Sequence, residues 1–311
     1  MATTQTTLTP GLAPTMQTYY DKKLLARLLP NLVHMKWAQK KPIPRNGGKT
    51  INFRRFSPLS HATTPLTEGV TPAGNTLTMT EIEATLAQYG DFLEFSDVLD
   101  LTAIDPVLDE AADLLGEQSA QTLDVIARDV LAAGTTVQYA GGKTSRATVT
   151  ATDLLTVDEV RKAVRTLKRN NVKPLDGRNY VAVVEPGTTY DLQSDAKWQE
   201  PSQYSKAEQI WSGEIGRLYG VRFVETSYAK KFAGAGASGA DVYGTLIFGK
   251  DAYGMSDVES SGAVKNIIKP LGSAGSSDPL DQRSTSGWKA LFVIKILEQL
   301  AILRIEHAVS G

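Results

Sequence analysis

The chain lacks cysteine altogether and has only three histidines among its 311 residues. The absence of cysteine excludes disulfides, thiolate zinc sites, iron–sulfur clusters and cysteine nucleophiles. No two of His34, His61 and His307 are close enough in sequence to suggest a local metal site. We expect His34 and His61 at the surface or in partner contacts and His307 in the C-terminal tail, and we expect no metal or cofactor.

The chain also has no excess of charge of either sign, because 34 acidic residues nearly balance 33 basic residues. A net charge of -1 disfavours a dedicated nucleic-acid-binding protein, which is usually basic. It equally disfavours a wholly disordered acidic chain. Hydrophobic residues at 41% and charged residues at 22% are typical of a globular protein, and the length suggests roughly two domains.

Export and membrane signals are missing as well. Residues 1–18 are rich in threonine and proline and contain no basic stretch followed by an apolar run, so we predict no secretory signal peptide. The apolar segment Trp288–Glu306 includes five charged residues, and a charge at the centre of a bilayer costs about 2.5–3.5 kcal/mol. We therefore interpret it as a buried element and predict a strand over 290–305, with a helix as the alternative.

No complete catalytic or nucleotide-binding motif is present. The tetrapeptide GGKT occurs at 47–50 and 141–144, but the glycine that opens a phosphate-binding loop is replaced by Ile43 and Val137. Residues 234–239 match G-x-G-x-x-G, yet strand-like residues follow where a dinucleotide site needs a helix. We assign no catalytic, cofactor-binding or metal-binding residue, although a Ser–His–Asp triad from distant parts of the chain stays open.

The N-terminal third contains segments that have little to bury. Residues 1–18 are predicted to be an arm, and helices are predicted over Tyr19–Leu29 and Asn31–Gln39. Thr50–Phe56 alternates in the manner of a strand. Residues 49–95 as a whole are predicted to form a long two-stranded excursion with an irregular tip, which has no core of its own and needs a neighbour.

The clearest helix is predicted over 105–133. Asp105 can cap it, Pro106 suits its first position and Gly134 ends it. At 1.5 Å per residue the helix would be about 43 Å long, whereas a compact chain of this length has a radius of gyration of about 19 Å. The helix would therefore span most of the molecule as a spine.

The rest of the chain alternates short helices, strands and loops, so the predicted class is α+β. A capping box at Thr156–Glu159 predicts a helix that buries Val157, Val160, Val164 and Leu167. The other predicted elements are strands at Tyr180–Val184, Val221–Glu225 and Thr245–Phe248, a helix at Thr188–Ser194, and loops at 233–241 and 270–287.

Charge is separated along the chain. Residues 19–56 contain ten basic residues and one acid, whereas residues 81–129 contain thirteen acidic residues and one base. Either the two segments form separate solvated faces, or a basic arm meets an acidic spine, including the spine of a neighbouring copy. Unburied extensions and few catalytic signals together predict an assembly protein rather than an enzyme.

Several stretches resemble one family. They are 18–59 (TYYDKKLLARLLPNLVHMKW and onward), 63–118 (TTPLTEGVTPAGNTLTMTEI and onward), 126–143 (IARDVLAAGTTVQYAGGK), 155–171 with 179–195, 213–227 (GEIGRLYGVRFVETS) and 280–292 (LDQRSTSGWKALF). Together they cover most of the chain. On these residues the chain resembles the major capsid proteins of tailed phages with the HK97-like fold, in particular the family typified by the coliphage N-four.

The resemblance implies an α+β, HK97-like capsid fold in four regions. These are an N-terminal arm at 1–46, an extended β loop at 47–98, a peripheral domain with the spine helix at 99–152 and 245–311, and an axial domain at 153–244. It implies a structural subunit, not an enzyme, that assembles into pentamers and hexamers. These would form an icosahedral shell around double-stranded DNA, with arm and loop lying over adjacent subunits.

The resemblance also implies partners and a location. The partners are other copies of the chain, a portal protein, scaffold or decoration proteins, and nonspecifically packaged DNA, with no membrane. The location is the virion, after assembly in the host bacterial cytoplasm. Some shells of this fold are crosslinked through a loop lysine, but no lysine lies between Lys49 and Lys143, so we predict no isopeptide bond through this loop.

Seven residues are the predicted inter-subunit contacts. They are Arg54, Arg55, Glu68, Lys40, Lys41, Asp109 and Asp113. The helical spacing of Asp109, Asp113 and Glu117 is more often that of a solvated face than of a metal site. The alternatives to a phage shell are a nanocompartment shell of the same fold, a nucleotide-binding enzyme, and a tail or decoration protein.

Overall fold

The computed structural model describes a mixed α+β chain. It covers residues 33–44, 46–102, 107–195, 197–198, 214–257, 264–273 and 278–310. The predicted arm at 1–18, the helix Tyr19–Leu29 and the Asp105–Pro106 helix start lie outside these residues.

Fourteen strands and four α-helices lie within the described residues. The strands are β1 Gln39–Lys40, β2 Thr50–Phe56, β3 Met79–Thr85, β4 Ala87–Ser96, β5 Val137–Tyr139, β6 Tyr180–Val184, β7 Glu214–Leu218, β8 Val221–Glu225, β9 Lys230–Phe232, β10 Val242–Phe248, β11 Tyr253–Asp257, β12 Lys265–Lys269, β13 Arg283–Ile296 and β14 Ile302–His307. The helices are α1 Asp97–Thr102, α2 Val107–Ala132, α3 Val157–Arg169 and α4 Pro186–Ser194.

The five-stranded sheet is built on β13, its longest strand. Residues 283–292 of β13 pair antiparallel with all of β4 on one side. On the other side β12 pairs with residues 285–289 and β11 with residues 292–296. The two-residue strand β1 extends this sheet parallel to β11. Strands β2 and β3 form a separate antiparallel hairpin.

The seven-stranded sheet has the order β5-β14-β10-β6-β8-β7, with β9 also paired to β10. Every residue of β6 is buried, as expected for a strand that is covered on both faces and parallel to its neighbour β8. Val181 and Val183 face one core, whereas Tyr180, Ala182 and Val184 face the other. The sheet therefore separates two apolar layers.

Helix α2 packs on the layer that both sheets share. Its Leu123 and Leu131 are fully buried, and they belong to the same core as Trp288 of β13 and Val183 of β6. At 1.5 Å per residue its 26 residues span about 39 Å. The predicted spine helix is confirmed over its described residues, and Gly134 follows its end.

Helix α3 covers the opposite layer. The Thr156 side chain accepts a hydrogen bond from the Glu159 backbone N–H, which confirms the predicted N-cap. All four predicted apolar positions of this helix are buried, against a core that includes Phe223 and Ile305. The predicted strands Thr50–Phe56, Tyr180–Val184 and Val221–Glu225 are confirmed at their predicted bounds.

Three predictions about local structure are wrong in part. The predicted helix at 31–39 is, over its described residues, a turn followed by β1, because residues 39 and 40 pair with β11. The excursion predicted over 49–95 is two-stranded only for β2 and β3, since β4 joins β13 instead. The loop predicted at 270–287 gives way to β13 from Arg283 onward.

The apolar segment at 290–305 is a strand, as preferred, but it is not continuous. A 3-10 turn at Gln299–Ala301 divides it. Strand β13 ends in the five-stranded sheet, and β14 begins in the seven-stranded sheet. This short connection joins the two sheets through one chain segment. No helix within the described residues is both long and apolar enough to cross a bilayer.

A buried charge network lies on β14. Arg146 donates two hydrogen bonds of 2.8 and 2.7 Å to the Glu306 carboxylate, and Arg304 Nε donates another of 2.7 Å. The Arg146 guanidinium also lies 3.5 Å from the centre of the Phe232 ring. Burial opposes ionisation of Glu306, but the hydrogen bonds from the two arginines outweigh it and hold its pKa below the usual value.

His307, which was expected in the C-terminal tail, belongs to strand β14 and is fully buried. Its Nδ1–H donates to the Ala308 carbonyl at 2.8 Å, so its Nε2 accepts from the Thr245 hydroxyl at 2.9 Å. Burial lowers the pKa of His307 to about 4. The side chain is therefore neutral at pH 7, and both ring nitrogens are satisfied.

Candidate inter-subunit surfaces

A buried pair of residues, His34 and Asp124, holds the described part of the arm against the spine helix α2. Asp124 of α2 accepts from the His34 backbone N–H and from His34 Nδ1, both at 2.7 Å. The Tyr253 hydroxyl donates to the His34 carbonyl at 2.6 Å. His34 is completely buried, so its predicted surface position is wrong. At this point the arm contacts the spine helix within one chain.

The base of the β2–β3 hairpin has a small core of its own. Ile51, Phe53 and Ala84 are buried together with Ile43 of the arm. Leu297, which follows β13, packs against the same cluster. These contacts hold the hairpin on the five-stranded sheet and determine where its far end projects.

Beyond the base, the hairpin is uncovered. We define the tip as residues 57–78, which connect β2 to β3 without helix or strand. Every residue from 58 to 78 is exposed. The tip includes four exposed large apolar side chains: Leu59 at 54%, Leu66 at 77%, Val70 at 62% and Leu77 at 71%. Glu68 is its only Asp, Glu, Lys or Arg.

The two predicted contact arginines pair within the chain. Arg54 Nε lies 3.2 Å from a Glu81 carboxylate oxygen, directly across the β2–β3 ladder. Arg55 forms an ion pair with Glu298, beside the turn that joins the two sheets. Both arginine side chains are about half exposed or more. They brace the hairpin and leave one side open to solvent.

The other predicted contact residues are dispersed. Lys40 and Lys41 are exposed on the arm where it pairs with β11, and Lys41 lines a small cleft with Arg54 and Arg55. Glu68 is exposed in the tip. Asp109 and Asp113 belong to the first turns of α2. The structure thus brings Lys41 together with Arg54 and Arg55 in one cleft.

A groove on the outer face of the five-stranded sheet was not predicted from the sequence. It has a volume of about 730 Å³ and lies over β4, β12 and β13. Phe92 and Ile267 flank Gly287 across the three strands, and the Phe92 ring is 63% exposed. Lys269 and Lys289 line the same groove. We call this surface the outer groove.

Close strand contacts shape the outer groove. A Cβ placed on Gly287 would lie 2.7 Å from the Phe92 Cβ, and one on Gly90 would lie 2.6 Å from the Trp288 carbonyl oxygen. Beside them, hydrogen bonds from the Gln118 side chain and the Phe92 N–H lower the pKa of Asp91. Two glycines within strand-like sequence were the available signal for this surface.

The sequence fragments that resemble nucleotide sites are structural. Gly141 has a positive φ of 64° and packs against Asp153, which pairs with Lys143 at 3.6 Å. The G-x-G-x-x-G segment at 234–239 leads into strand β10, not into a helix. Within the described residues, no group of three or more His, Asp or Glu side chains is placed to hold a metal ion.

Comparison with known proteins identifies the family. A model of a phage capsid protein family matches residues 79–305, which is well over half of the chain. The chain belongs to this phage capsid protein family. It is therefore a structural subunit of a phage capsid and a component of the virion. No curated protein sequence matches the capsid protein.

Solved phage capsids share the fold of this capsid protein. The capsid of Ralstonia phage GP4 is 15% identical, with a TM-score of 0.72 over 90% of this chain and 89% of that chain. The cyanophage Pam1 capsid is 14% identical, with a TM-score of 0.70 over 92% and 93%. The capsid of cyanophage P-SCSP1u is 16% identical, with a TM-score of 0.66 over 90% and 89%.

Proposed function

We propose that the chain is the major capsid protein of an HK97-like shell and assembles into pentamers and hexamers of an icosahedral particle around double-stranded DNA. The proposed regions are the arm at 1–46, the extended loop at 47–98, the peripheral domain at 99–152 and 245–311, and the axial domain at 153–244. We further propose that the partners of the shell are a portal protein and scaffold or decoration proteins. The shell assembles in the cytoplasm of the host bacterium.

The exposed apolar tip is the observation that most strongly supports this assembly. Each fully buried Leu or Val side chain contributes about 1.5–3 kcal/mol relative to an exposed one, and the tip leaves four such side chains in solvent. Exposed apolar side chains that gather into one patch mark an interaction site, and we propose that these four form such a patch against a neighbour. A neighbouring copy is the partner that a capsid supplies at every position.

The outer groove is the surface where we place the neighbour's tip. Its exposed Phe92 and half-buried Ile267 offer apolar contact, and Lys269 and Lys289 provide positive charge for Glu68, the single acid of the tip. Such pairing at the rim favours orientation more than affinity. Tip and groove lie at different places on one subunit, so their contact links successive copies head to tail, as in a closed ring.

Electron microscopy of the purified chain and a shortened variant tests the proposal. Replacing residues 57–78 with Asn-Gly joins Phe56 to Met79 by a two-residue hairpin turn and keeps the β2–β3 ladder. We expect wild type to form closed shells with nuclease-protected DNA. The variant should stay as folded subunits of unchanged circular dichroism, because it lacks the tip.

A matched pair of substitutions separates apolar contact from loop length. Leu66→Ser with Val70→Ser should abolish shells, whereas Thr64→Ser with Thr71→Ser, at neighbouring exposed positions, should leave them intact. Shells from the shortened variant would contradict the role of the tip. Shells that protect protein cargo and no DNA would instead identify a nanocompartment.

A further inference from the structure

Helix α3 presents a basic surface that no part of the shell proposal uses. Four of its basic side chains, together with Tyr219, line a shallow groove of about 440 Å³. They are Arg161, Arg165, Lys168 and Arg169, and all are exposed. The net charge of the whole chain is -1, so this is a local concentration of positive charge. We call these four residues with Tyr219 the α3 patch.

Among the residues that the structure describes, most of this charge has no acidic partner. Arg161 shares Asp158 with Lys197. Within the described part of the chain, Arg165, Lys168 and Arg169 form no ion pair or side-chain hydrogen bond. The other basic residue of the helix, Lys162, is held by Glu159 at 2.7 Å and does not line the groove.

Helix stability explains only part of the pattern. Cations in the last turn interact favourably with the helix dipole, which accounts for Lys168 and Arg169. Arg165 lies one turn earlier and Arg161 two turns earlier, where the dipole contributes little. From Arg161 to Arg169 the four cations form a row about 12 Å long along the helix, at 1.5 Å per residue.

Tyr219 supplies a second, independent observation. It occupies the two-residue turn between β7 and β8 with a φ of 49°, and Gly220 follows with a φ of 77°. Asn or Gly suits such a turn, whereas a bulky residue there is strained. The strained conformation places the half-exposed ring 5.1 Å from the Arg161 guanidinium, as a cation–π platform beside the basic row.

We propose that the α3 patch binds the phosphate backbone of double-stranded nucleic acid without reading its sequence. Arginine forks match phosphate oxygens in geometry and charge. In the described part of the chain, no acid pairs with Arg165, Lys168 or Arg169. The groove is shallow and lacks the protruding helix or ribbon that reads base edges in a major groove. This inference rests on the proposed function, in which the subunit encloses DNA.

The binding of a labelled random-sequence duplex to the full-length subunit tests the proposal. It is measured by fluorescence anisotropy between about 50 and 200 mM salt. The test variant combines Arg165→Gln, Lys168→Gln and Arg169→Gln. The control combines Lys49→Gln, Lys265→Gln and Lys295→Gln, which removes the same charge from exposed, dispersed positions. Each lost phosphate contact should reduce the salt slope by about 0.9.

We expect the α3 variant to bind about tenfold more weakly or worse at the lowest salt, with a slope reduced by about 2.7, and the control to keep the wild-type slope. Tyr219→Asn suits the turn and keeps the basic row, so it should lose about threefold in affinity at an unchanged slope. Equal losses in the α3 variant and the control, or no loss in either, would overturn the proposal.

Electron microscopy of the same variants distinguishes this inference from the shell proposal. We expect shells from the α3 variant that protect less DNA than wild type. Unchanged DNA binding together with failure to form shells would make the α3 patch a contact between copies and overturn the inference. Absence of shells from wild type would count against the proposed function, whatever the duplex measurements give.

Discussion

His307 and Glu306 are adjacent in sequence but differ in charge: the histidine is neutral and the glutamate is ionised. The buried imidazole is neutral between Thr245 and the Ala308 carbonyl. The neighbouring carboxylate is ionised between Arg146 and Arg304. Alternation along β14 sends the two side chains to opposite faces of the sheet. Each face therefore satisfies one polar group, and each group responds differently to acid.

Acid should destabilise the subunit through His307 first. Its pKa is 6.5 in the unfolded chain and about 4 when folded, so only the unfolded chain takes up a proton between these values. The stabilisation is complete above pH 6.5 and is lost as the pH falls, by about 3 kcal/mol at pH 4. We predict that urea unfolding from pH 7 to 5 shows this slope in wild type.

The variant His307→Gln is the control for that slope. Glutamine can donate to the Ala308 carbonyl and accept from Thr245 but does not titrate, so the variant should be flatter over this pH range. Glu306, whose pKa is lowered, loses its stabilising charge only as the pH falls below its usual value of 4.5. An equal slope in both proteins would contradict the role of His307.

Arg54 and Arg55 allow a second test at this scale. Their pairs with Glu81 and Glu298 are exposed, and exposed ion pairs contribute about 0–1 kcal/mol. We predict that Arg54→Glu with Arg55→Glu changes the free energy of subunit unfolding by about 1 kcal/mol or less each but lowers shell yield. Adding Glu81→Arg and Glu298→Arg restores the internal pairs, and unchanged yield in the double variant would exclude a contact role.

At the scale of elements, the sequence pattern predicted those helices and strands whose formation depends on neighbouring residues. Thr50–Phe56 and Tyr180–Val184 alternate or are continuously apolar, and α3 has its cap and its apolar stripe. The failures have long-range causes. Strand β1 exists because β11, more than 200 residues away in sequence, provides its partner, and no local pattern encodes that pairing.

The burial of polar side chains could not be predicted from the local sequence either. His34 and His307 looked isolated in sequence, yet Asp124 and Thr245 reach them from 90 and 62 residues away. Part of the candidate inter-subunit surface was predicted from the sequence, namely the hairpin and its arginines. The outer groove was not, because it needs three strands from separate parts of the chain. The narrower resemblance to the N-four group stays a prediction.

The close approach of β4 and β13 leads to a third prediction. Gly287→Ala would place a methyl group 2.7 Å from the Phe92 Cβ and 2.9 Å from the Asp91 carbonyl oxygen. We expect a loss of about 1–3 kcal/mol in the free energy of unfolding, as for other overpacked sites. Gly74→Ala in the open tip, where a Cβ meets nothing within 4 Å, should be nearly neutral in the same denaturation experiment.

At the scale of the whole molecule, the composition limits how copies can be joined. The chain has no cysteine, and residues 50–98 contain no lysine. Boiled particles on a denaturing gel should therefore give a single band at 33.6 kDa. Covalent ladders from mature particles would contradict this prediction.

The brief turn between β13 and β14 has a thermal consequence. It runs from one sheet straight into the other, and α2 lies in a core to which both sheets contribute. Melting either sheet would expose that core and release the strand that enters the other sheet. We expect the two sheets of an isolated subunit to melt together, in one calorimetric peak whose van't Hoff and calorimetric enthalpies agree.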